Sequence, residues 1–274
     1  MSFTLKGPLL LAGAGKMGGA ILERLLACGL DARDVLVQDP NPTQQMADLL
    51  VETGIDFVPV FDALSTPPAV ILLAVKPQLI EAVLPQLATL ADAQTLFLSI
   101  AAGRGIAGLE KHLPEGAAVV RAMPNTPAQI GRGITVAIAN ANVSDEQRAL
   151  AEKLLTAAGE VVWVDDEALL DPATAVSGSG PAYVFLLAEC LAEAGREAGL
   201  PPRLAEQLAR ATVAGAGDLL RASDTPAARL RENVTSPGGT TAAALEILGG
   251  PDGLQKLMTA AVDAATKRGR DLAQ

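Results

Sequence analysis

The sequence is poor in the side chains that metal sites and nucleophilic catalysis use. Its 274 residues include one histidine, His112, and two cysteines, Cys28 and Cys190, which are far apart in the chain. This set excludes a His/Cys zinc site, and we expect no bound metal. His112 lies at the predicted end of a short helix, where nothing indicates a Ser–His–Asp triad, and the P-loop motif is absent. Because the two thiols lie in helical patterns far apart in the chain, we expect buried thiols in a reducing compartment rather than a disulfide.

Basic clusters, long apolar runs and aromatic residues are also scarce. The formal net charge of −10, with no basic cluster, argues against nucleic acid as a partner. No uninterrupted apolar run has the length that spans a membrane, so we expect no membrane partner. The opening residues, MSFTLKG, resemble no signal peptide, and we expect a cytoplasmic protein. Aromatic residues make up 3% of a chain that is 50% hydrophobic, so Ala, Leu, Val and Ile must form the core.

What the sequence does contain is a glycine-rich turn between an apolar segment and a helical pattern, at residues 8–26 (PLLLAGAGKMGGAILERLL). Gly13, Gly15 and Gly18 form the pattern G-x-G-x-x-G. Between a strand and a helix, these glycines permit a tight turn, the approach of a pyrophosphate to the backbone, and close packing of the helix on the strand. The helix N-terminus offers free amides to the phosphates. Because Asp39 follows 21 positions after Gly18, the segment predicts dinucleotide binding rather than an unrelated glycine-rich turn.

Strands and helices alternate over the first half of the chain, which predicts an α/β fold with a doubly wound sheet. The predicted strands are 9–12, 34–38, 70–75, 95–100 and 117–122. Ligands of such sheets bind beyond the carboxyl ends of the strands, so the loops at those ends should share one rim and form the cofactor cleft. These loops are 13–18, 39–42, 75–77, 101–103 and 123–127.

The pattern changes near residue 165. Two further segments, 134–139 and 161–164, can still be strands, but every later periodic segment is helical. The predicted helices are 166–176, 181–198, 202–221 and 251–272. We therefore predict a dinucleotide-binding domain over residues 1–164 and an all-helical domain over residues 165–274. Because most helices of this small second domain carry apolar faces, we expect it to complete its core against a second subunit.

A second informative segment is 233–241 (NVTSPGGTT), which is followed by AAALEIL. A helix that begins after two glycines and two threonines offers consecutive backbone amides and several hydroxyls, which suits a small carboxylate. The same residue types also cap helices, because Ser and Thr are good N-cap residues and Gly tolerates the turn. The spacing alone leaves both interpretations open.

Several segments together resemble the pyrroline-5-carboxylate reductases, the last enzymes of proline biosynthesis. These segments are SGSGPAYVF at 177–185, ENVTSPGGTTAAALEIL at 232–248, GAGKMGGAI near the start, LLAVKPQ at 72–78 and RAMPNTPAQIGRG at 121–133. The most specific part is TSPGGTT, at 235–241. The resemblance covers essentially the whole chain. It implies an N-terminal Rossmann domain, a helical C-terminal domain that forms a homodimer by interlocking helices, and often a decamer of five such dimers. It also implies reduction of 1-pyrroline-5-carboxylate to L-proline by NAD(P)H.

The resemblance also implies roles for particular residues. The implied substrate-binding residues are Ser236, Gly239, Thr240 and Thr241, with the Thr241 hydroxyl at the ring nitrogen as the catalytic group. The implied cofactor-binding residues are Gly13, Gly15, Lys16, Met17, Gly18, Val75, Lys76 and Pro77, with Ala101 and Asn125 near the nicotinamide. Pro181 and Tyr183 would shape the helix and the core rather than contact substrate.

Two other functions remain open at this point. One is a 3-hydroxyacid-type dehydrogenase, which also joins a Rossmann domain to a helical one; its family places a catalytic lysine in the first C-terminal helix, and residues 181–195 contain no lysine. The other is a non-catalytic dinucleotide sensor, which would not need the segment 233–241. Reduction of a protonated cyclic imine suits this sequence better, because the cation itself accepts the electrons and requires neither a metal nor a strong acid.

Asp39 departs from the usual pattern of the family, whose members often use NADPH and carry small polar residues after the second strand. A carboxylate there accepts hydrogen bonds from a ribose hydroxyl but repels a 2′-phosphate. Residues 34–75 contain no arginine or lysine that could compensate. We therefore expect NADH to be favoured over NADPH, unless Asp39 merely starts the Asp-Pro-Asn-Pro turn and points away from the cleft.

Overall fold

The computed structural model describes residues 3–273 and contains an eight-stranded sheet with helices around it. The strands are β1 (Leu9–Ala12), β2 (Val35–Gln38), β3 (Asp56–Val58), β4 (Val70–Leu73), β5 (Leu96–Ser99), β6 (Ala118–Met123), β7 (Gly133–Ala139) and β8 (Gly159–Trp163). The helices are α1 (Lys16–Ala27), α2 (Gln44–Thr53), α3 (Ile80–Ala88), α4 (Ile106–Glu110), α5 (Asp145–Thr156), α6 (Leu170–Ala173), α7 (Gly180–Glu197), α8 (Pro202–Arg221), α9 (Ala227–Asn233), α10 (Thr240–Leu248) and α11 (Leu254–Ala273).

The strand order of the sheet is β3-β2-β1-β4-β5-β6-β7-β8. All neighbouring pairs are parallel except β6 and β7, which are antiparallel. The first six strands follow the order of dinucleotide-binding Rossmann folds, which confirms the predicted doubly wound sheet. The order reverses between β1 and β4, and a crevice for a ligand opens at such a switch point, beyond the carboxyl ends of the strands.

The central strands are buried on both faces, which explains their continuous apolar sequences. Every residue of β1, β4 and β5 is buried. Alternate side chains belong to opposite layers: Leu9 and Leu11 pack in one hydrophobic cluster, and Leu10 and Ala12 pack in the other. Parallel strands covered by helices on both sides have this pattern, because neither face of the sheet meets water.

Two elements were not expected from the sequence. Strand β3 has three residues, lies at the edge of the sheet and has no buried residue. Helix α9 likewise has no buried residue. Strand β3 has three residues and α9 has seven, and neither is long enough to show a hydrophobic period.

The chain forms two compact units. The first comprises the described residues up to Gly178 together with those from Thr266 onward, and the second is Ser179–Ala265. The sheet ends at Trp163, close to the predicted boundary at residue 164, but the contacts extend the first unit further. Leu170 packs in one of the two core clusters of the sheet, which ties the segment after β8 to the first unit.

The second unit has almost no core of its own. Among its described residues, those that are buried and hydrophobic are Ala192, Ala205 and Ala209, which lie on α7 and α8. A methyl group added at Gly195 would lie 3.3 Å from the Cβ atom of Ala205, so α7 and α8 pack closely. Large apolar side chains remain exposed on α7, α8, α10 and α11: Val184, Phe185, Leu186, Leu187, Leu191, Leu204, Leu208, Leu219, Leu220, Ile247, Leu248, Leu254, Leu257 and Met258.

Two expectations about this part of the chain need correction. Cys28 and Cys190 are both free, but Cys190 on α7 is exposed rather than buried, because the unit that carries it has so little core. The helical segments after β8 also run together over residues 167–197, and this stretch is long and apolar enough, by length and composition alone, to cross a membrane. The sequence did not reveal it because polar residues interrupt the apolar runs.

Candidate active site

The glycine-rich turn lies at the switch point between β1 and β4. Gly13 has a φ of +93°, and a methyl group there would lie 2.9 Å from the carbonyl of Ala74 and the nitrogen of Val75. A methyl group on Gly18 would overlap the carbonyl oxygen of Gly13 and lie 2.8 Å from the Cβ atom of Ala74. Both glycines are therefore required by the packing of the turn and of α1 against β4, as the sequence predicted.

Gly15 differs from the other two glycines. It is exposed, and a methyl group added there would meet no atom within 4 Å. It is the N-cap residue of α1, whose first turn has no acidic side chain and no side-chain cap. The protein fold itself does not require a glycine here. A pyrophosphate bound against the backbone would require one, because a side chain would occupy its place. Uncapped helix amides at this position also attract phosphate groups.

Asp39 follows β2 and points towards the glycine-rich turn. Its Oδ2 atom accepts a 2.7 Å hydrogen bond from the amide of Ala14, and its Oδ1 atom accepts a 2.8 Å bond from the amide of Asn41. The residue is half-buried. Asp39 thus starts the turn after β2 and also lies beside the crevice, so the two alternatives considered from the sequence are not exclusive. Each carboxylate oxygen can still accept another hydrogen bond from a ribose hydroxyl.

The opposite side of the rim is formed by the loops after β4 and β5. Val75 and Pro77 are half-buried, and Lys76 is exposed at the start of a short 3₁₀ turn that Pro77 begins. Ala101 follows β5 and is 5% exposed. Lys16 is exposed and Met17 half-buried, both in the first turn of α1. Among residues 3–273 neither lysine forms a salt bridge, so both remain available to a phosphate.

Asn125 lies beyond β6 and is 8% exposed. Its Nδ2 atom donates a 3.0 Å hydrogen bond to the carbonyl oxygen of Ser177, and its Oδ1 atom accepts a 2.9 Å bond from the amide of Ile134. Because β6 runs parallel to β1, the loop that follows β6 lies at the same edge of the sheet as the glycine-rich turn, but the side-chain amide of Asn125 contacts the protein. No local sequence pattern reveals these two bonds, which join Asn125 to residues 9 and 52 positions away.

The segment at 236–241 lies in the second unit and leads into α10. Gly238 has a φ of +68°, and Gly239 is the N-cap residue, with no side chain bonded to the helix amides. Ser236 and Thr240 are exposed, and Thr241 is half-buried. Within the described part of the chain, none of these three hydroxyls forms a hydrogen bond. The structure thus does not support capping as the reason for this sequence, and it leaves amides and hydroxyls at one helix N-terminus free for a ligand.

Comparisons with known proteins place the chain in a family. A family sequence pattern described as pyrroline-5-carboxylate reductase dimerisation matches residues 167–272, and one described as NADP oxidoreductase, coenzyme F420-dependent, matches residues 9–103. A pyrroline-5-carboxylate reductase of Pseudomonas aeruginosa is 40% identical over 262 residues, which cover 96% of this chain and 95% of the relative. The chain belongs to the pyrroline-5-carboxylate reductase family.

Solved structures of the family share the fold over the whole chain. The pyrroline-5-carboxylate reductase of Coxiella burnetii has a TM-score of 0.88 and 33% identity, covering 98% of this chain and 99% of that one. The Plasmodium falciparum pyrroline carboxylate reductase, solved with NADP bound, has a TM-score of 0.81 and 26% identity, covering 99% and 100%. Membership in this family decides among the three functions that the sequence left open, in favour of the imine reductase.

Proposed function

We propose that this chain reduces 1-pyrroline-5-carboxylate to L-proline, with the rim of the sheet binding the nicotinamide cofactor and the segment 236–241 binding the substrate. The observation that carries the proposal is the uncapped N-terminus of α10, with the free hydroxyls of Thr240 and Thr241, in a chain of this family. The sensor alternative has no use for such an anion site. In this proposal, residues 1–164 bind the nucleotide, and residues 165–274 bind the substrate and form the dimer.

The substrate requires three things of the protein: a site for its carboxylate, a partner for its ring nitrogen, and a nicotinamide beside its imine carbon. The backbone amide of Thr240, with the Ser236 hydroxyl, suits the carboxylate, since a helix N-terminus carries partial positive charge. Gly239 shapes the turn beside it, and its own amide donates a 3.0 Å hydrogen bond to the carbonyl oxygen of Ser236. The Thr241 hydroxyl is the partner of the ring nitrogen. When bound, the nicotinamide supplies the hydride to the iminium carbon. The protein gains chiefly from orientation, because the iminium is already a strong electrophile.

The cofactor site in this proposal is the rim described above. Gly13, Gly15 and Gly18 shape the turn, and the amides of α1 receive the pyrophosphate. Lys16, Met17, Val75, Lys76 and Pro77 line the approach to it. Ala101 and the loop of Asn125 lie at the nicotinamide end. The open space over Gly15 fits this group, because no protein atom lies where its Cβ atom would point.

The first experiment is an assay of NADH and NADPH oxidation with 1-pyrroline-5-carboxylate, with 1-pyrroline as the comparison. We expect rapid oxidation with the carboxylate substrate and a much weaker response to 1-pyrroline, which lacks the group that the α10 amides bind. No oxidation with either cofactor would refute the proposed reaction. Equal activity on both imines would support imine reduction but would show that the N-terminus of α10 does not bind the substrate carboxylate.

Replacing Thr241 by alanine should lower turnover about ten- to a hundredfold and leave cofactor affinity unchanged. A hydrogen bond to a charged group is worth about 1.5–3 kcal/mol, and about 1.4 kcal/mol corresponds to a tenfold change in rate. Thr241→Ser keeps the hydroxyl and should recover most of the activity. Thr235→Ala is the matched control, because the Thr235 hydroxyl is already bonded to the carbonyl of Arg231 at 2.7 Å. Wild-type turnover in Thr241→Ala would return Thr241 to a structural role.

NADH should be used at least about tenfold more efficiently than NADPH, as the environment of Asp39 suggests. A second negative charge about 4–6 Å from the carboxylate costs on the order of 3–4 kcal/mol at an effective dielectric near 20, before screening. The bonds of Asp39 to the amides of Ala14 and Asn41 hold it beside the turn, which hinders a swing into solvent. A tenfold preference requires about 1.4 kcal/mol of this repulsion.

Asp39→Asn tests the charge with little change of shape. We expect the ratio of kcat/KM for NADH to kcat/KM for NADPH to fall at least about tenfold, with most of the change in the NADPH value. Asp56→Asn, at the exposed start of β3, removes the same charge away from the turn and should leave the ratio unchanged. A wild-type enzyme that prefers NADPH would show that Asp39 does not read the ribose.

The exposed apolar surface of the second unit fits a homodimer in which a second copy covers it. This arrangement also accounts for the apolar stretch at 167–197 without a membrane. We further propose, from the resemblance to the family, that five dimers assemble into a decamer, that nucleic acid is not a partner, and that the protein is cytoplasmic. Light scattering on the purified protein distinguishes monomer, dimer and decamer.

A further inference from the structure

An ion pair with a nearly buried arginine lies beside the loop 101–105, which follows β5. Arg121 lies in β6, the strand next to β5, and is 8% exposed. Its Nη1 atom is 2.7 Å from the Oε1 atom of Glu167, which begins a short 3₁₀ turn after β8. The same oxygen accepts a 2.9 Å hydrogen bond from the amide of Ile106, the first residue of α4. One carboxylate of the first compact unit therefore joins β6 and the segment after β8 to the end of this loop.

The end of the loop leaves room for this carboxylate. Gly105 is the N-cap residue of α4 and has no side chain that could bond the helix amides. A methyl group on Gly105 would lie 3.2 Å from the Oε1 atom of Glu167, so a larger residue would crowd that oxygen. Glu167 thus does, from 61 positions away along the chain, what an N-cap side chain does in other helices.

Stability alone does not account for an ion pair at this place. Removing two charges from water costs about as much as their attraction returns, and apolar residues that replace such pairs are often equally stable. The surroundings are apolar, because Ala101 and Ile106, at the two ends of the loop, pack in one of the two core clusters of the sheet. Val119 packs in the same cluster, and Arg121 lies two residues later on the same face of the strand. What the pair adds over apolar packing is direction, since it fixes one arrangement of the loop.

The loop 101–105 lies on the nicotinamide side of the proposed cofactor site. In a Rossmann sheet the acidic residue after β2 bonds the ribose of the adenosine, and the pyrophosphate lies at the N-terminus of α1. The dinucleotide therefore crosses the carboxyl edge of the sheet from β2, over β1, towards β4 and β5. The strand order places β5 on the side of β1 opposite to β2 and Asp39.

We infer that Glu167 is a positioning residue for the nicotinamide half of the cofactor, acting through the amide of Ile106, with Arg121 holding its carboxylate. The inference rests on the proposed function, which supplies the cofactor site. The bond orders the loop before the cofactor binds. Without it, binding would have to order the loop, and fixing the backbone of one residue costs the equivalent of about five- to thirtyfold in a binding constant. The cost falls on NADH and not on ADP-ribose, which lacks the nicotinamide.

Two doubly substituted chains test the inference without leaving a buried charge unpaired, and both keep the net charge of the protein. Arg121→Met/Glu167→Met removes the ion pair and the acceptor for the amide of Ile106. Arg121→Met/Glu167→Gln removes the same pair but keeps a side-chain oxygen for that amide. In calorimetric titrations we expect the first chain to bind NADH at least about fivefold more weakly than wild type, and ADP-ribose within about twofold of it. The second chain should bind both ligands within about twofold of wild type.

Glu81→Gln is the matched control on the same loop. The Glu81 carboxylate pairs with Arg104 at 2.8 Å, but this pair is more exposed than that of Arg121, and ion pairs in water contribute little. Its removal should leave the affinities for NADH and ADP-ribose unchanged within about twofold.

Four results would overturn the inference. Equal weakening of NADH and ADP-ribose binding by Arg121→Met/Glu167→Met would make the pair a support of the whole sheet, and failure of that chain to fold would make it a requirement of folding. Unchanged NADH binding in that chain would leave the pair without a role at the cofactor. Arg121→Met/Glu167→Gln binding NADH as weakly as the first chain would show that the bond to Ile106 is not responsible. A wild-type protein that binds neither ligand would instead refute the cofactor site of the proposed function.

Discussion

Alanine at Gly15 should leave the protein folded but weaken its binding of the nucleotide at least about tenfold, whereas alanine at Gly18 should lower the stability of the fold by about 3 kcal/mol or more. The two glycines belong to the same motif and lie three residues apart, yet their surroundings are opposite. A methyl group at Gly15 meets no protein atom within 4 Å, while one at Gly18 overlaps the carbonyl oxygen of Gly13. Alanine at Gly15 therefore tests what the bound nucleotide requires, and alanine at Gly18 tests what the fold requires.

The expected magnitudes follow from these surroundings. Gly15 has φ −71° and ψ −166°, which alanine adopts freely, so stability should be unchanged or rise by about 0.4–1 kcal/mol. At Gly18 the overlap is with backbone, which cannot move aside as a side chain can, and we expect a loss of about 3 kcal/mol or more. At about 2–4 °C per kcal/mol for a unit of this size, the melting temperature should fall by at least about 6 °C.

Thermal unfolding and NADH titration measure the two effects separately. We expect Gly15→Ala to melt like wild type without cofactor and to bind NADH at least about tenfold more weakly. Gly18→Ala should show the fall in melting temperature in the absence of any ligand. If Gly15→Ala bound NADH normally, the pyrophosphate could not lie over this glycine, and the proposed cofactor site would be wrong.

The rim of the sheet that we propose for the cofactor could be predicted from the sequence, because each of its parts has a local signature. A buried parallel strand is a continuous apolar run, and the glycine-rich turn and Asp39 follow such runs directly. Once the strands are recognised as parallel, their carboxyl ends must lie on one edge. The geometry of Gly13 and Gly18 then agrees with the roles that the motif predicts.

Other features depended on contacts that the sequence does not display. The bond from Asn125 to Ser177 joins residues 52 positions apart, and no local sequence pattern marks the two residues as partners. The extension of the first unit to Gly178 depends likewise on side chains such as Leu170 that pack back onto the sheet. Helical periodicity identifies such segments as helices but does not say which unit they pack against.

Replacing Phe185 and Ile247 by aspartate should prevent the second unit from assembling and abolish activity. Phe185 on α7 is 62% exposed and Ile247 on α10 is 78% exposed, in a unit whose buried hydrophobic residues, among those described, are three alanines. Burial of one large apolar side chain contributes about 1.5–3 kcal/mol, and an unpaired carboxylate in its place costs several kcal/mol more. In a two-fold symmetric dimer each substitution acts twice.

For the doubly substituted chain these terms exceed about 6 kcal/mol, which corresponds to a rise of more than about 10⁴-fold in the dissociation constant of the dimer. Light scattering should then show particles of 28.0 kDa, the mass of one chain, where the wild type forms dimers or larger assemblies.

Val51→Asp is the matched control, because Val51 is 71% exposed on α2 of the first unit and should tolerate the charge without change in assembly. A wild-type protein that is monomeric and active at low concentration would contradict the proposed dimer. An assembly unaffected by both aspartates would instead move the interface to other apolar side chains of the unit. Without its partner, a unit with so few buried residues loses the packing that holds α10, so activity should disappear together with the dimer.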